Sequence, residues 1–234
     1  MFAILLPPLF LFASSSRAAS TNNAKKTFMP PICADETQKA RSQELKQLFD
    51  ADQSDRDPLE GRSAMKGDPQ EIWNRVSQND LQRRKRVAEI FGEGCITTAD
   101  DYYHAAMVFQ HGLIPDHFFQ AYFWSSRATR LGSKDAKWLS GASLDRYLMN
   151  LGYKQIYATQ AKTANPVDPA SCWCLWPVEE TATEDLRKEF GVKTVEEQMR
   201  WLNTINKDKK DCKPSFCPTD AKPVSRNSLP GVSW

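Results

Sequence analysis

No stretch of this sequence is apolar enough for long enough to cross a bilayer, which takes roughly 20 consecutive apolar residues. No excess of one charge is present either: across 234 residues the net charge is +2. A balanced surface offers no footprint for nucleic acid, which calls for a basic face or stripe. The one basic run, Arg83-Arg84-Lys85-Arg86, reads as a solvated helix face. Catalytic signatures are missing as well. The chain has no G-x-S-x-G elbow, no phosphate-binding G-x-x-x-x-G-K loop, no H-E-x-x-H and no G-x-G-x-x-G. Nucleophile-elbow hydrolases, P-loop nucleotidases, zincins and dinucleotide-binding folds are therefore excluded on motif grounds. No cofactor is implied.

What is present starts with a leader. Residues 1–13 are apolar, and Ser14-Ser15-Ser16-Arg17-Ala18-Ala19 is small and polar. This is the pattern of a signal peptide over 1–19, cleaved after Ala18 or Ala19. Pro7-Pro8 argues against a continuous membrane helix. A mitochondrial transit peptide is the rival, because no acidic residue precedes Asp35. The six cysteines, Cys33, Cys95, Cys172, Cys174, Cys212 and Cys217, all follow this leader. An even count behind a signal peptide predicts disulfides in a secreted protein. The pairing expected is Cys33 with Cys95, and Cys172/Cys174 with Cys212/Cys217. The last four are alternatively zinc ligands, although C-x-C is not the usual knuckle spacing.

Hydrophobic residues make up 41% of the chain, enough for one core. The expected division is a flexible lead-in over 20–34, a helical domain over 35–206 and an irregular, cysteine-containing tail over 207–234. Helix signals dominate the domain. A first helix is expected after Asp35 as N-cap, with Gln38 at the capping-box position, giving way to a polar segment over 50–66. A second opens on Asp68-Pro69 with Glu71 and stops at Gly92. Others run from Thr98 to about Gly112, from Pro115 to Leu131, and from Lys134 to Leu151. Short loops between these make neighbours antiparallel. Residues 153–159 alternate in a β-prone way, and with 172–178 they predict a small β-hairpin. Two short helices follow, over 184–190 and 195–206, the second with a Thr194/Glu197 capping box. The fold class expected is mainly α: antiparallel helix hairpins with one small β-hairpin, stapled by disulfides.

Chemistry enters through charges on apolar faces. Helical spacing puts Asp80 and Arg83 on the stripe of Ile72, Val76, Val87 and Ile90, and sets Asp145 and Arg146 beside Trp138, Leu139 and Ala142. Charges in such places are costly unless paired. They form either a buried ion-pair network or a polar ligand pocket. The three histidines, His104, His111 and His117, lie close in sequence. Their spacing is weak for a metal site, and one histidine working as acid or base fits better. The aromatic cluster from Tyr102 to Trp124 has the spacing of core.

Asp52-Gln53-x-x-Arg56, Gln110-His111, Asp145-Arg146, Gln155-x-Tyr157-x-Thr159-Gln160, Trp176-Pro177-Val178 and Arg187 follow in that order. This ordered set resembles an uncharacterised, mainly bacterial family with D-Q, Q-H, D-R and Q-x-Y-G-T-Q signatures. The resemblance spans residues 36–206 and departs at Ala158, where that family has glycine. It implies no reaction, but it adds Asp52, Gln53, Arg56, Gln110, His111, Gln155, Tyr157 and Gln160 to the off-pattern charges. Such a residue set suits a polar pocket for a small polar or anionic ligand. His111 is the acid/base candidate, Asp145 or Asp52 would orient it, and Arg56 or Arg146 would hold an anionic group. Ala121-x-x-Trp124-x-x-Arg127-Ala128-x-x-Leu131-Gly132 is similar to tetratricopeptide hairpins, without a fixed internal period. The alternative to a ligand pocket is therefore a helix-hairpin module that binds a protein partner.

Overall fold

The computed structural model describes residues 33–56, 68–165, 168 and 170–225. The leader over 1–19 and most of the 20–34 lead-in fall outside them. The described residues belong to one compact unit, residues 31–234. They form seven helices and one two-stranded sheet: α1 (Asp35–Ser54), α2 (Pro69–Gly92), α3 (Ala99–Gln110), α4 (Pro115–Arg130), α5 (Asp135–Asn150), β1 (Ala161–Thr163), β2 (Trp173–Leu175), α6 (Glu184–Glu189) and α7 (Val195–Asn206).

Helices α3, α4 and α5 pack in succession, and α1 lies against α3. Small side chains make this close approach possible. Ala105, Ala106, Ala121, Ser125, Ala128 and the run Ser140-Gly141-Ala142-Ser143 are all buried. Around Trp124, a core of Leu45, Val87, Ile90, Val108 and Leu139 fills the space between helices. A second cluster, with Phe118, Leu148 and Tyr157, joins α4 and α5 to the loop that follows α5. The third gathers Ala158, Leu175 and Leu202 under the small sheet.

Local chemistry sets the helix ends. Thr98 and Thr194 each accept a backbone N–H while Asp101 and Glu197 return the bond, so α3 and α7 start on full capping boxes. Asp68 caps α2 by accepting from the Gln70 N–H at 2.8 Å, without the reciprocal bond expected of Glu71. At α1 the cap is Ala34, not Asp35. Gln38 reaches instead to Asp101 Oδ2 at 2.9 Å and ties α1 to the start of α3. Helix α1 also runs further than the polar segment over 50–66 suggested, because the carboxylate of Asp52 turns inward and is buried.

The β-hairpin is displaced from its expected place. Residues 153–159 form a loop with isolated bridges at Tyr153 and Gln155, and the antiparallel pair is Ala161–Thr163 with Trp173–Leu175. Alternation in 153–159 reflects loop side chains turned in by specific hydrogen bonds rather than by a pleat.

All six cysteines are paired: Cys33–Cys95, Cys172–Cys212 and Cys174–Cys217. The thiols are thus consumed as disulfides, not as zinc ligands. Cys33–Cys95 fixes the start of α1 to the loop after α2, and the other two clip the tail to the sheet, where Leu175 bridges to Phe216. No helix among the described residues is long and apolar enough to cross a membrane.

Candidate functional site

Four polar stretches meet where the C-terminal end of α1, the middle of α2, the last turn of α3 and the middle of α5 come together. Asp52, fully buried on α1, accepts from the Nδ1 of His111 at 2.8 Å. Its other oxygen accepts from Arg56 Nη1 at 3.0 Å, and Gln53 Nε2 adds a bond at 2.8 Å. Arg56 Nη2 then reaches Asp80 Oδ2 on α2 at 2.5 Å. Asp80 Oδ1 accepts from Arg83 Nη1 at 3.0 Å, and Arg83 Nη2 pairs with Asp55. The stripe-breaking Asp80 and Arg83 are therefore partners in one network.

Two further guanidiniums close on the end of α3 without a carboxylate. Arg84 Nη1 donates to the His111 carbonyl at 2.9 Å, and Arg146 Nη1 to the Gln110 carbonyl at 2.6 Å. Helix C-termini present unpaired carbonyls and a negative dipole end, so cations are favoured there. Neither arginine has an ion-pair partner among the described residues. Burial lowers the pKa of both. For Arg146 the nearby Arg56 cation adds to this and brings it down to about 10. Among the described residues, the network that ends on His111 holds four guanidiniums (Arg56, Arg83, Arg84, Arg146) and three carboxylates (Asp52, Asp55, Asp80).

His111 itself is held below the ordinary histidine pKa. Burial is the main cause, and the Arg56 and Arg146 cations act with it against the bond to Asp52. A neutral imidazole that donates Nδ1–H to Asp52 keeps its Nε2 lone pair as an acceptor. Nε2 makes no hydrogen bond among the described residues. This is the arrangement of a general base oriented by a buried carboxylate.

The second half of the sequence-predicted set has another task. Asp145 is fully buried and has no ion-pair partner among the described residues. Its oxygens accept from the backbone N–H groups of Ile156, Tyr157 and Thr159 at 2.7, 2.9 and 3.0 Å, and from the Thr159 hydroxyl at 2.8 Å. It shapes the loop after α5, and it is Asp52, not Asp145, that orients His111. Burial raises the Asp145 pKa to about 6, against the pull of its four donor groups. Gln155 is equally committed: Nε2 donates to the Gln160 and Trp176 carbonyls at 3.0 and 2.7 Å, and Oε1 accepts the Gln160 N–H at 2.8 Å. Tyr157 stacks on Phe190 and packs on Gly141, where a Cβ would crowd its ring at 3.2 Å. Gln160 links the halves, accepting from Arg146 Nε at 3.0 Å.

The sequence-predicted residues thus separate into a cluster at His111 (Asp52, Gln53, Arg56, the Gln110 carbonyl and Arg146) and a loop-building set (Asp145, Gln155, Tyr157, Gln160). Asp55 and Arg84 belong to the cluster and were missed by the sequence reading. Arg84 looked like part of a solvated basic run, yet it is buried. Its one signal is that it neighbours Arg83 on the inner side of α2.

The three histidines do not converge. His104 lies against the ring of Phe49, centroid to centroid at 4.9 Å. His117 Nδ1 accepts from the Leu113 N–H at 3.1 Å and closes the α3–α4 turn, where a side chain at Gly112 would overlap it. Among the described residues, no group of three or more His, Cys, Asp or Glu is arranged to hold a metal ion.

Fold and cluster together define a mainly helical, disulfide-linked domain with a carboxylate–imidazole–guanidinium centre. Comparison of the chain with protein families, curated proteins and solved structures finds no match.

Proposed function

We propose that this protein is secreted and that it binds a small oxyanionic ligand at His111, which acts on it as a general base in a hydrolytic reaction. One observation carries the reading: Arg84, buried, and Arg146, partly buried, have no carboxylate partner among the described residues, in a cluster whose described guanidiniums outnumber its described carboxylates. A buried charge is costly unless compensated, and an anionic ligand would supply the missing charge. Guanidinium forks suit the planar or tetrahedral oxygens of carboxylates and phosphates. The neutral imidazole beside them, its Nδ1 held by Asp52, would take a proton from an attacking water. Asp52-Gln53-x-x-Arg56, Gln110-His111 and Arg146 of the ordered motifs supply this cluster. Three disulfides support export to an oxidising compartment.

Calorimetric titration with inorganic phosphate and with acetate tests the binding, and p-nitrophenyl phosphate and acetate test the hydrolysis. The wild type is expected to bind one of the anions. Arg146→Gln weakens it at least tenfold, and His111→Ala abolishes turnover while far-ultraviolet circular dichroism is unchanged. Absence of anion binding, or His111→Ala behaving as wild type, overturns the reading.

A second reading is a helix-hairpin module that captures a protein partner. It is favoured by the exposure of Leu113, Ile114, Phe91 and Phe123 on and around the hairpins. A partner that binds equally well to wild type and to His111→Ala would favour it.

A further inference from the structure

The middle of α3, the first turn of α5 and the end of α6 line a cavity of about 470 Å³. Its volume is that of a small-molecule site, and it shares no residue with the His111 cluster. Part of its lining is apolar and fixed. Met107 is buried there, Tyr103 lies against Phe49 at 5.6 Å between ring centroids, and Phe190 lies against Tyr157 at 4.4 Å. Trp138 stands out among them. It is 44% exposed at the cavity, although Leu139 and Ala142 of the same helix are fully buried.

The polar part of the lining has free capacity. Lys134, Asp135, Lys137 and Glu189 have no ion-pair partner among the described residues. Lys134, Asp135 and Glu189 are exposed, so their charged heads are within reach of a ligand. The Asp135 charge is felt at the Tyr103 hydroxyl, which sets carboxylate and phenol on one side of the cavity. Both signs of charge are present, so an anion meets two carboxylates and a cation meets the lysines. A neutral group that donates and accepts at once suits such a lining, and the hydroxyl is the group that does both. The open indole face adds a second demand. It is negative over the ring, and it suits a flat surface of C–H groups.

We propose that this cavity binds a neutral saccharide, with a pyranose ring laid on the indole of Trp138. The favoured ring has equatorial hydroxyls, because its faces then carry only C–H groups and its edge carries the hydroxyls. The face stacks on Trp138. The edge hydroxyls donate to Asp135 and Glu189 and accept from Lys134 and Lys137. An open-chain polyol has the hydroxyls without the face, and a phenol has the face without the ring of hydroxyls, so neither meets both demands.

The test uses the full chain with its disulfides intact and four probes: cellobiose, N,N′-diacetylchitobiose, sorbitol and p-cresol, followed by nuclear magnetic resonance chemical-shift titration. One or both of the disaccharides are expected to shift the Trp138 indole N–H and the Tyr103 ring resonances to saturation, and sorbitol and p-cresol to bind at least tenfold more weakly. Trp138→Ala, a change at an exposed side chain, is expected to weaken the disaccharide about tenfold with the circular dichroism unchanged, and Trp138→Phe to keep most of the affinity, since it keeps a ring face. Asp135→Asn and Glu189→Gln are each expected to weaken it severalfold while the Trp138 indole N–H still shifts at saturation. No saturable shift with either disaccharide, equal binding of sorbitol, preference for p-cresol, or Trp138→Ala behaving as wild type overturns the proposal.

Discussion

His111 and Asp52 stand 59 positions apart in the chain, yet the imidazole Nδ1 donates to the buried carboxylate at 2.8 Å. The bond joins the end of α3 to the end of α1. It also decides which nitrogen of the neutral ring keeps its lone pair.

The first prediction concerns this imidazole. Its pKa lies below the ordinary histidine value, so it is neutral at pH 7. Asp52 is the group that raises it, by hydrogen bond and by charge. Asp52→Asn should therefore lower the pKa further. Replacing Arg146 by Gln removes a cation that lowers it, and should raise it. Titration of the ring resonances by nuclear magnetic resonance reads both shifts, and a move in the opposite direction in either variant would contradict the assigned network.

The same depressed pKa has a consequence for stability. A folded-state histidine that resists protonation binds fewer protons than it does in the unfolded chain. Stability from His111 is then full above the unfolded value of about 6.5 and is lost as pH falls from there towards the folded value. Asp145 works the other way. With a folded pKa of about 6, it contributes stability that is present below the unfolded carboxylate value and lost as pH rises through about 6. Urea denaturation of wild type and His111→Gln between pH 5 and 8 separates the two: the variant should lose less stability on acidification, by up to about 1.4 kcal/mol per pKa unit of the shift.

Asp145→Asn should be strongly destabilising. The carboxylate accepts from three backbone N–H groups and one hydroxyl, using both oxygens. An amide would turn its NH2 towards donors at one of these positions and leave N–H groups unmet. A loss of about 3–5 kcal/mol is expected, comparable to breaking a buried charged pair. Thermal unfolding under non-reducing conditions measures it, and a neutral effect would mean that the loop does not depend on this carboxylate.

At Ala158 the backbone is left-handed, with φ of 62°. Alanine pays roughly 1–2 kcal/mol there, but its buried methyl packs in the third core cluster. Ala158→Gly relieves the strain and loses the methyl, so its net effect should be within about 1 kcal/mol. Ala158→Val puts a β-branched residue where such residues are outliers and should cost more than the glycine variant. Equal stability of the two variants would argue against the left-handed turn.

Each disulfide closes a long loop, with separations of 62, 40 and 43 residues. Loop-closure entropy then assigns about 4 kcal/mol to each. Replacing the Cys33–Cys95 pair by serines should lower the denaturation midpoint sharply. Replacing the Cys172–Cys212 pair should chiefly release the tail, seen as new proteolytic sites after residue 206 with the helical signal kept.

Much of this was legible in the sequence, because much of it is local. Thr98 with Asp101 and Thr194 with Glu197 start their helices by bonds within one turn. Pro69 and Pro115 mark the starts of α2 and α4 for the same reason. Cysteine count predicted disulfides, and the pairing expected, Cys33 with Cys95 and the rest with the tail, is the one present, but count alone does not choose it. The partners of Cys172 and Cys174 are set by the tail lying along the sheet at Leu175. Polar residues on apolar faces identified Asp80, Arg83, Asp145 and Arg146 as inward-facing, since burial follows from helical period alone.

What those inward charges touch is a matter of distance in space, and only tertiary packing decides it. Asp145 and Asp52 look alike in sequence, yet one is surrounded by backbone N–H groups of a loop and the other by an imidazole and a guanidinium. Arg84 sits in a run that reads as solvated, yet α2 is turned so that this arginine covers the end of α3. The hairpin moved past residues 153–159 because Gln155 and Asp145 draw that loop inward by side-chain bonds that no alternation pattern encodes. Periodicity fixes which residues go inside; the crossing of helices fixes which charge finds which partner.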